Sequence, residues 1–202
     1  FKKGIIMKYQ ETGRFGRITK NLRKLGFEKE MPEILFDSSA FPELKKSEQS
    51  KYVETVVKRM ESIIGLENTE QVLFECGAKC CGKSWSKFVQ NIWDDSNSLP
   101  DFFYNLNQKE AKYNTEIEYN KENNSITVIR TKCICGLINK GAKFVENTDY
   151  CSCSIGHMSE FFSTIFKIKN IKLLNSIYAG DDKCEWLISI REKDSKESDN
   201  NG

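Results

Sequence analysis

The sequence has no run of about 18 uncharged apolar residues, so no segment is predicted to cross a bilayer as a helix. Its first residues, Phe1 to Met7, lack the apolar centre of a secretory signal. Neither sign of charge dominates, since 31 basic and 29 acidic side chains give a formal charge of +2. Glycine-rich phosphate loops, the His-Glu-x-x-His zinc motif and the Gly-x-Ser-x-Gly hydrolase turn are all missing. These absences exclude the common nucleotide-binding, zincin and α/β-hydrolase classes and favour a globular domain.

Cysteine, by contrast, is abundant. The chain has eight cysteines but one histidine. An even number of cysteines is typical of a disulfide-bonded secreted domain. Here 13 Phe, 7 Tyr and 3 Trp can form a core without cross-links, and the cysteines are clustered along the chain. We therefore expect free thiols in a reducing, cytoplasmic compartment, used for metal, redox or ligand binding.

The N-terminal 30 residues are strongly basic, with nine basic and three acidic side chains. Phe15, Ile18 and Leu22 recur at helical spacing, and Gly26 follows where the helix would end. A basic amphipathic helix suits nucleic acid, an anionic membrane surface or an acidic partner. Because no nucleic-acid motif accompanies it, we favour docking of this segment on the acidic remainder of the chain. The predicted organisation is a basic segment at 1–45, one domain at 46–191 and a disordered tail at 192–202.

Hydrophobic periodicity predicts helices first and antiparallel hairpins afterwards. Four helices are expected at 47–64, at 69–93, from Ser98 as N-cap, and at 154–166. Two hairpins are expected, from 115–119 with 125–131 and from 171–178 with 184–190. This order predicts an α+β fold, with helices packed on one face of a four-stranded antiparallel sheet built from two hairpins.

Two Cys-x-Cys pairs indicate a metal site in the second half of the chain. Alternate side chains of a strand share a face, so Cys133 with Cys135, and Cys151 with Cys153, each present two thiols in one direction. Four thiolates suit tetrahedral Zn²⁺. We predict zinc as the cofactor, with ligands drawn from these four cysteines and Cys184. The alternative is that single cysteines serve as small buried apolar residues.

A nucleophile is the competing interpretation of the same region. A thiolate at Cys153 would be favoured near a helix N-terminus, and His157, four residues on, would lie on the same face as its base. Cys76 is a second candidate nucleophile. Cys76 and Cys80 are also expected to share a helix face, and with Trp85 they are the predicted ligand-binding residues. Cys81 is expected to pack in the core.

Residues 151–190 carry a family resemblance. The Cys-Ser-Cys-Ser-Ile-Gly-His start, the Gly180-Asp181 turn and the Cys184-Glu-Trp-Leu-Ile strand resemble the C-terminal half of the 4-vinyl-reductase-type domain. That superfamily includes ligand-binding sensor domains and Golgi transport subunits, some of which bind zinc. The resemblance implies Cys184 and one of Cys151 or Cys153 as zinc ligands. The two other family positions hold Leu173 and Ser176, so Cys133 and Cys135 would have to replace them.

The cysteine pattern as a whole is similar to a cysteine-rich bacterial family, some of whose relatives are labelled amino-thiazoline-carboxylate hydrolases. The leading hypothesis is a cytoplasmic small-molecule-binding or sensor domain with a cysteine-rich zinc site. The alternative is a thiol-dependent hydrolase of that kind, and a third class is an adaptor that uses the basic N-terminal helix. The expected partner is a small molecule, a homodimer is left open, and neither nucleic acid nor a membrane span is expected.

Overall fold

The computed structural model describes residues 8–36, 38–135 and 149–192. Within these ranges the α-helices are α1 Gly13–Lys24, α2 Met31–Leu35, α3 Lys46–Ile64, α4 Leu66–Asp94, α5 Leu99–Glu110 and α6 Ser152–Ser163. Short 3₁₀ turns occupy Ser38–Glu43, Ala111–Tyr113, Asp149–Cys151 and Ile177–Ala179. No helix in these ranges combines the length and the apolar content that a bilayer crossing requires.

The four strands are β1 Thr115–Asn120, β2 Ser125–Arg130, β3 Phe166–Asn175 and β4 Cys184–Glu192. They form one antiparallel sheet in the order β1-β2-β4-β3. The two hairpins join through β2 and β4, where Val128 pairs with Trp186 and Arg130 pairs with Cys184. The predicted α+β fold, with helices packed against a four-stranded antiparallel sheet, is confirmed.

Several predicted boundaries need correction. Helix α6 ends at Ser163, and Phe166, which shares its apolar spacing, already belongs to strand β3. Strand β3 ends at Asn175, and the chain then makes a 3₁₀ turn where the strand was expected to continue. The tail was predicted to begin at residue 192, but Glu192 is the last residue of strand β4. Residues 193–202 and the stretch 136–148 lie outside the described residues.

Helix α4 is bent at Gly82, whose backbone has φ 66° and ψ 169°. Those values lie in a region that glycine alone adopts readily, because it has no Cβ. The helix continues unbroken through Gly77, which serves a different purpose. A Cβ at Gly77 would lie 1.6 Å from the backbone oxygen of Cys153, and a Cβ at Gly156 would lie 1.9 Å from that of Phe74. The two glycines therefore allow α4 and α6 to cross with their backbones in direct contact.

Two hydrophobic cores lie on either side of this bend. The helical core gathers α1, α2, α3 and the first half of α4, including Phe15, Ile18, Leu22, Val56, Leu73 and Cys76. The sheet core gathers the second half of α4, α5, α6 and the sheet, including Cys81, Val89, Phe102, Phe162, Trp186 and Ile188. Helix α1 thus buries its apolar face in the helical core. The predicted division into a basic segment, one domain and a tail, with boundaries at 45 and 191, stays a prediction.

Candidate functional site

A cavity of about 290 Å³ lies between the helical core and the sheet core. Its walls come from α1, α4, the segment after β2, α6, β3 and β4. All eight cysteines are free thiols. Seven of them line this space, which we call the thiol cavity: Cys76, Cys80, Cys133, Cys135, Cys151, Cys153 and Cys184. Cys81 is the exception, because it packs in the sheet core with 1% of its surface exposed.

The α4 wall carries Cys76 and Cys80, one helical turn apart. Asn21 of α1 reaches across and donates a hydrogen bond from Nδ2 to Cys76 Sγ at 3.2 Å. Lys79 Nζ donates to Asn21 Oδ1 at 3.1 Å and so holds the amide in place. Burial raises the pKa of the Cys76 thiol to about 11, although the Asn21 hydrogen bond lowers it in part. Cys76 is therefore a neutral thiol at pH 7.

The start of α6 carries Cys151, Cys153 and Ser154. Ser154 Oγ donates to the backbone oxygen of Cys151 at 2.6 Å, and Trp186 Nε1 donates to Ser154 Oγ at 2.9 Å. The Trp186 bond ties the start of the helix to strand β4, and the Ser154 bond closes its first turn. Burial raises the pKa of Cys151 to about 12 and that of Cys153 well above its usual value. The helix N-terminus was expected to favour a thiolate at Cys153, but loss of solvent outweighs it.

The sheet end of the cavity carries Cys133, Cys135 and Cys184. The backbone N–H of Ile177 donates to Cys184 Sγ at 3.4 Å, and Cys135 Sγ lies 4.0 Å from the Tyr150 hydroxyl. Burial raises the pKa of Cys133 and of Cys184 as well. Both shifts favour the protonated thiol, and Arg130 lines the cavity beside these two cysteines.

His157 lies one turn after Cys153 on α6, as predicted from the spacing. Its ring centroid is 6.4 Å from that of Trp85. Burial is the main cause that lowers the pKa of His157 to about 4, so the imidazole is neutral and a weak base. A hydrolase needs a thiolate and an effective base, and the structure supports neither at Cys153, Cys76 and His157.

A buried ion pair beside the cavity was missed from the sequence. Arg130, at the end of β2, directs Nη2 to Glu110 Oε2 at 3.4 Å and donates from Nε to Thr115 Oγ1 at 2.8 Å. Glu110 and Arg130 are 2% and 7% exposed. The sequence does show an arginine among the β-branched residues of β2 and a glutamate at the end of α5. It does not show that the two pair, because their pairing depends on the tertiary fold.

The structure thus brings every predicted site residue to one place without assigning a role to any. The predicted catalytic residues Cys76, Cys153 and His157, the five predicted zinc ligands, and the predicted ligand-binding residues Cys76, Cys80 and Trp85 all line the thiol cavity. In residues 8–36, 38–135 and 149–192, no three His, Cys, Asp or Glu side chains form a group that would hold a metal ion as they stand. The catalytic, metal and ligand-binding roles stay predictions.

A family model described as a family of unknown function (DUF6144) matches residues 7–195. No curated protein matches the sequence. Among solved structures, the chain is similar to a trafficking protein particle complex subunit 3 from Naegleria fowleri covalently bound to palmitic acid. That likeness has 12% identity and a TM-score of 0.46, over 73% of this chain and 95% of that chain.

The chain is also similar to two H-NOX structures. One is an H-NOX protein from S. oneidensis in the Fe(II) ligation state, with 11% identity and a TM-score of 0.48 over 90% of this chain and 96% of that chain. The other comes from work on H-NOX activation, with 11% identity and a TM-score of 0.41 over 88% of this chain and 94% of that chain. None of these matches names the 4-vinyl-reductase-type domain, so that resemblance stays a prediction.

Proposed function

The chain belongs to the DUF6144 family, and we propose that it is a small-molecule-binding or sensor domain whose ligand occupies the thiol cavity. The observation that carries the proposal is the cavity itself, about 290 Å³ in volume and walled by seven free thiols. Ligand pockets in proteins are mostly apolar spaces of about 300 Å³ or more with a few polar groups. This cavity is close to that size and has that character.

The electrostatics of the walls favour a ligand with an apolar body. The thiols whose pKa burial raises, such as Cys76 and Cys151, stay protonated at pH 7, and His157 stays neutral. A protonated thiol behaves as a small apolar group with a weak donor. Formal charge reaches the lining through arginines such as Arg14 and Arg17 of α1. Free thiols also suit the reducing cytoplasm in which we place the protein.

A neutral fluorescent probe tests ligand binding directly. We expect N-phenyl-1-naphthylamine to bind saturably with one probe per chain. Cys80→Trp, which adds bulk at a lining position on the exposed side of α4, should weaken binding at least tenfold. Lys83→Trp is the matched control, since Lys83 is exposed on the same helix and does not line the cavity. Non-saturable binding, or equal binding by both variants, would contradict the proposal.

Zinc binding is a second candidate function. Cys133, Cys135, Cys151 and Cys184 lie at the sheet end of the cavity, close enough for charge on one thiol to affect the pKa of its neighbours. Four thiolates at about 2.3 Å would complete a tetrahedral zinc site. Because no metal-holding group stands ready among the described residues, zinc would have to draw these thiols together.

Metal analysis of protein purified without a metal-affinity step tests this second candidate. One zinc per chain is the expected content, and Cys184→Ser should lose it. Cys81→Ala is the control, because Cys81 lies outside the cavity and should leave the zinc content unchanged. Protein free of zinc, iron and copper, with all eight thiols titratable, would refute zinc binding and leave small-molecule binding untouched.

A further inference from the structure

A smaller cavity of about 90 Å³ adjoins the thiol cavity. The two share part of their lining: Trp85, Arg130, Ile134, His157 and Met158. Apolar residues of the sheet core supply most of the remaining wall, and Glu110 supplies a carboxyl group. A ligand in the thiol cavity therefore has within reach a small, mostly apolar side chamber with one carboxyl group in its wall.

Glu110 is only half satisfied by the protein. Its Oε2 receives the long 3.4 Å contact from Arg130 Nη2. Its Oε1 is buried and has no hydrogen-bond partner among the residues that the structure describes. A buried acceptor without a partner is unfavourable, so native proteins nearly always provide one from protein, water or ligand. The open position at Glu110 Oε1 calls for a donor.

Arg130 does not fill that position. Its Nε is committed to Thr115 Oγ1 at 2.8 Å, and its guanidinium lies 5.8 Å from the centre of the Trp186 ring. The side chain is thus held between β1, β4 and the carboxyl group, with its Nη2 on the other oxygen of Glu110. Because Glu110 lines the smaller cavity, a ligand can bring a donor to this carboxyl group from that side.

We propose that Glu110 Oε1 accepts a hydrogen bond from the head group of the ligand bound in the thiol cavity. The ligand class is then a compact apolar molecule that ends in a neutral hydrogen-bond donor, such as an alcohol. A charged head is outside this class, because Arg14, Arg17 and Arg130 line the same cavity and would repel a cation and attract an anion whatever Glu110 does. This inference rests on the proposed function and adds the head-group chemistry to it.

A head-group series on one chain length tests the inference. Binding of 1-octanol and of octyl methyl ether, which accepts but cannot donate a hydrogen bond, is followed by the fluorescence of Trp85 and Trp186, both of which line the thiol cavity. We expect the alcohol to bind at least tenfold more tightly than the ether. Equal affinities for the two would overturn the role of Glu110 and leave the proposed function standing. Absence of any binding would contradict the proposed function itself.

The variant Glu110→Gln tests the acceptor role of this carboxyl group directly. With its amide oxygen towards Arg130, the glutamine presents an NH₂ donor to the chamber, so the preference for the alcohol over the ether should disappear. Glu116→Gln, an exposed position on β1, is the matched control and should keep the wild-type preference. An unchanged preference in Glu110→Gln would refute the inference. If Glu110→Gln does not fold, the wild-type series decides alone.

Discussion

Replacing Gly77 by alanine tests the crossing of α4 and α6, on which the geometry of the thiol cavity depends. A Cβ at this position would lie 1.6 Å from the backbone oxygen of Cys153 and 3.0 Å from the backbone nitrogen of His157. Ordinary contact begins at 3.4 Å, and both of these atoms belong to the backbone. No side chain can rotate away, so the two helices must separate.

The expected cost follows from two opposing effects. Overpacking a well-packed core costs about 1–3 kcal/mol, and a clash with backbone belongs at the upper end. Alanine returns about 1 kcal/mol through its higher helix propensity. We expect Gly77→Ala to lower the free energy of unfolding by about 2 kcal/mol, which moves the urea midpoint down by roughly 1 M.

Urea unfolding followed by circular dichroism measures this loss, and affinity for N-phenyl-1-naphthylamine measures the cavity. Affinity should fall too, because Cys76 and Cys80 would move away from Cys153. Ser84→Ala is the control: Ser84 is exposed on α4, and its replacement should change stability by less than about 0.5 kcal/mol. Wild-type stability in Gly77→Ala would show that the helices do not meet at this glycine.

The remaining predictions concern ionisation in the cavity. His157 is the single histidine of the chain, so its ring-proton NMR titration should give a midpoint near 4, and a midpoint at 6.5 would refute its burial. Because the folded pKa lies below the unfolded value, the unfolded state takes up the proton first, and stability should fall by up to about 3 kcal/mol as pH drops from 6.5 to 4. The variant His157→Phe should not show this part of the loss of stability at acid pH. With iodoacetamide at pH 7.5, the exposed Cys80 should react before the partly buried Cys153, whose pKa is raised, whereas selective labelling of Cys153 at pH 6 would support the hydrolase interpretation.

Local signals in the sequence were enough to predict most elements of the fold. Helix α5 follows from Ser98, whose Oγ accepts from the Asp101 backbone N–H at 3.3 Å, as the N-cap assignment required. The β1–β2 hairpin follows from alternating β-branched residues on either side of polar turn residues. These features depend on neighbours in the chain, so sequence patterns could reveal them.

Features set by tertiary contact were not predictable in this way. A glycine inside a helix ordinarily weakens it, but Gly77 permits a backbone approach by α6, a partner about 80 residues away in sequence. The pairing of Glu110 with Arg130 depends likewise on how α5 lies against the sheet. All five cysteines predicted as zinc ligands line the thiol cavity. The burial that raises the pKa of cysteines such as Cys151 and Cys153 became visible only with the fold.

The bend at Gly82 gives helix α4 a part in both cores, and this affects how the protein unfolds. Leu73 packs in the helical core and Val89 in the sheet core, with the thiol cavity at the junction. The two cores meet where α4 crosses α6, and the thiol cavity lies beside that crossing. A ligand that touches both walls adds contacts between the two cores. Ligand binding should therefore make thermal unfolding more cooperative. The bound protein should unfold in one sharp transition, and the free protein in a broader one.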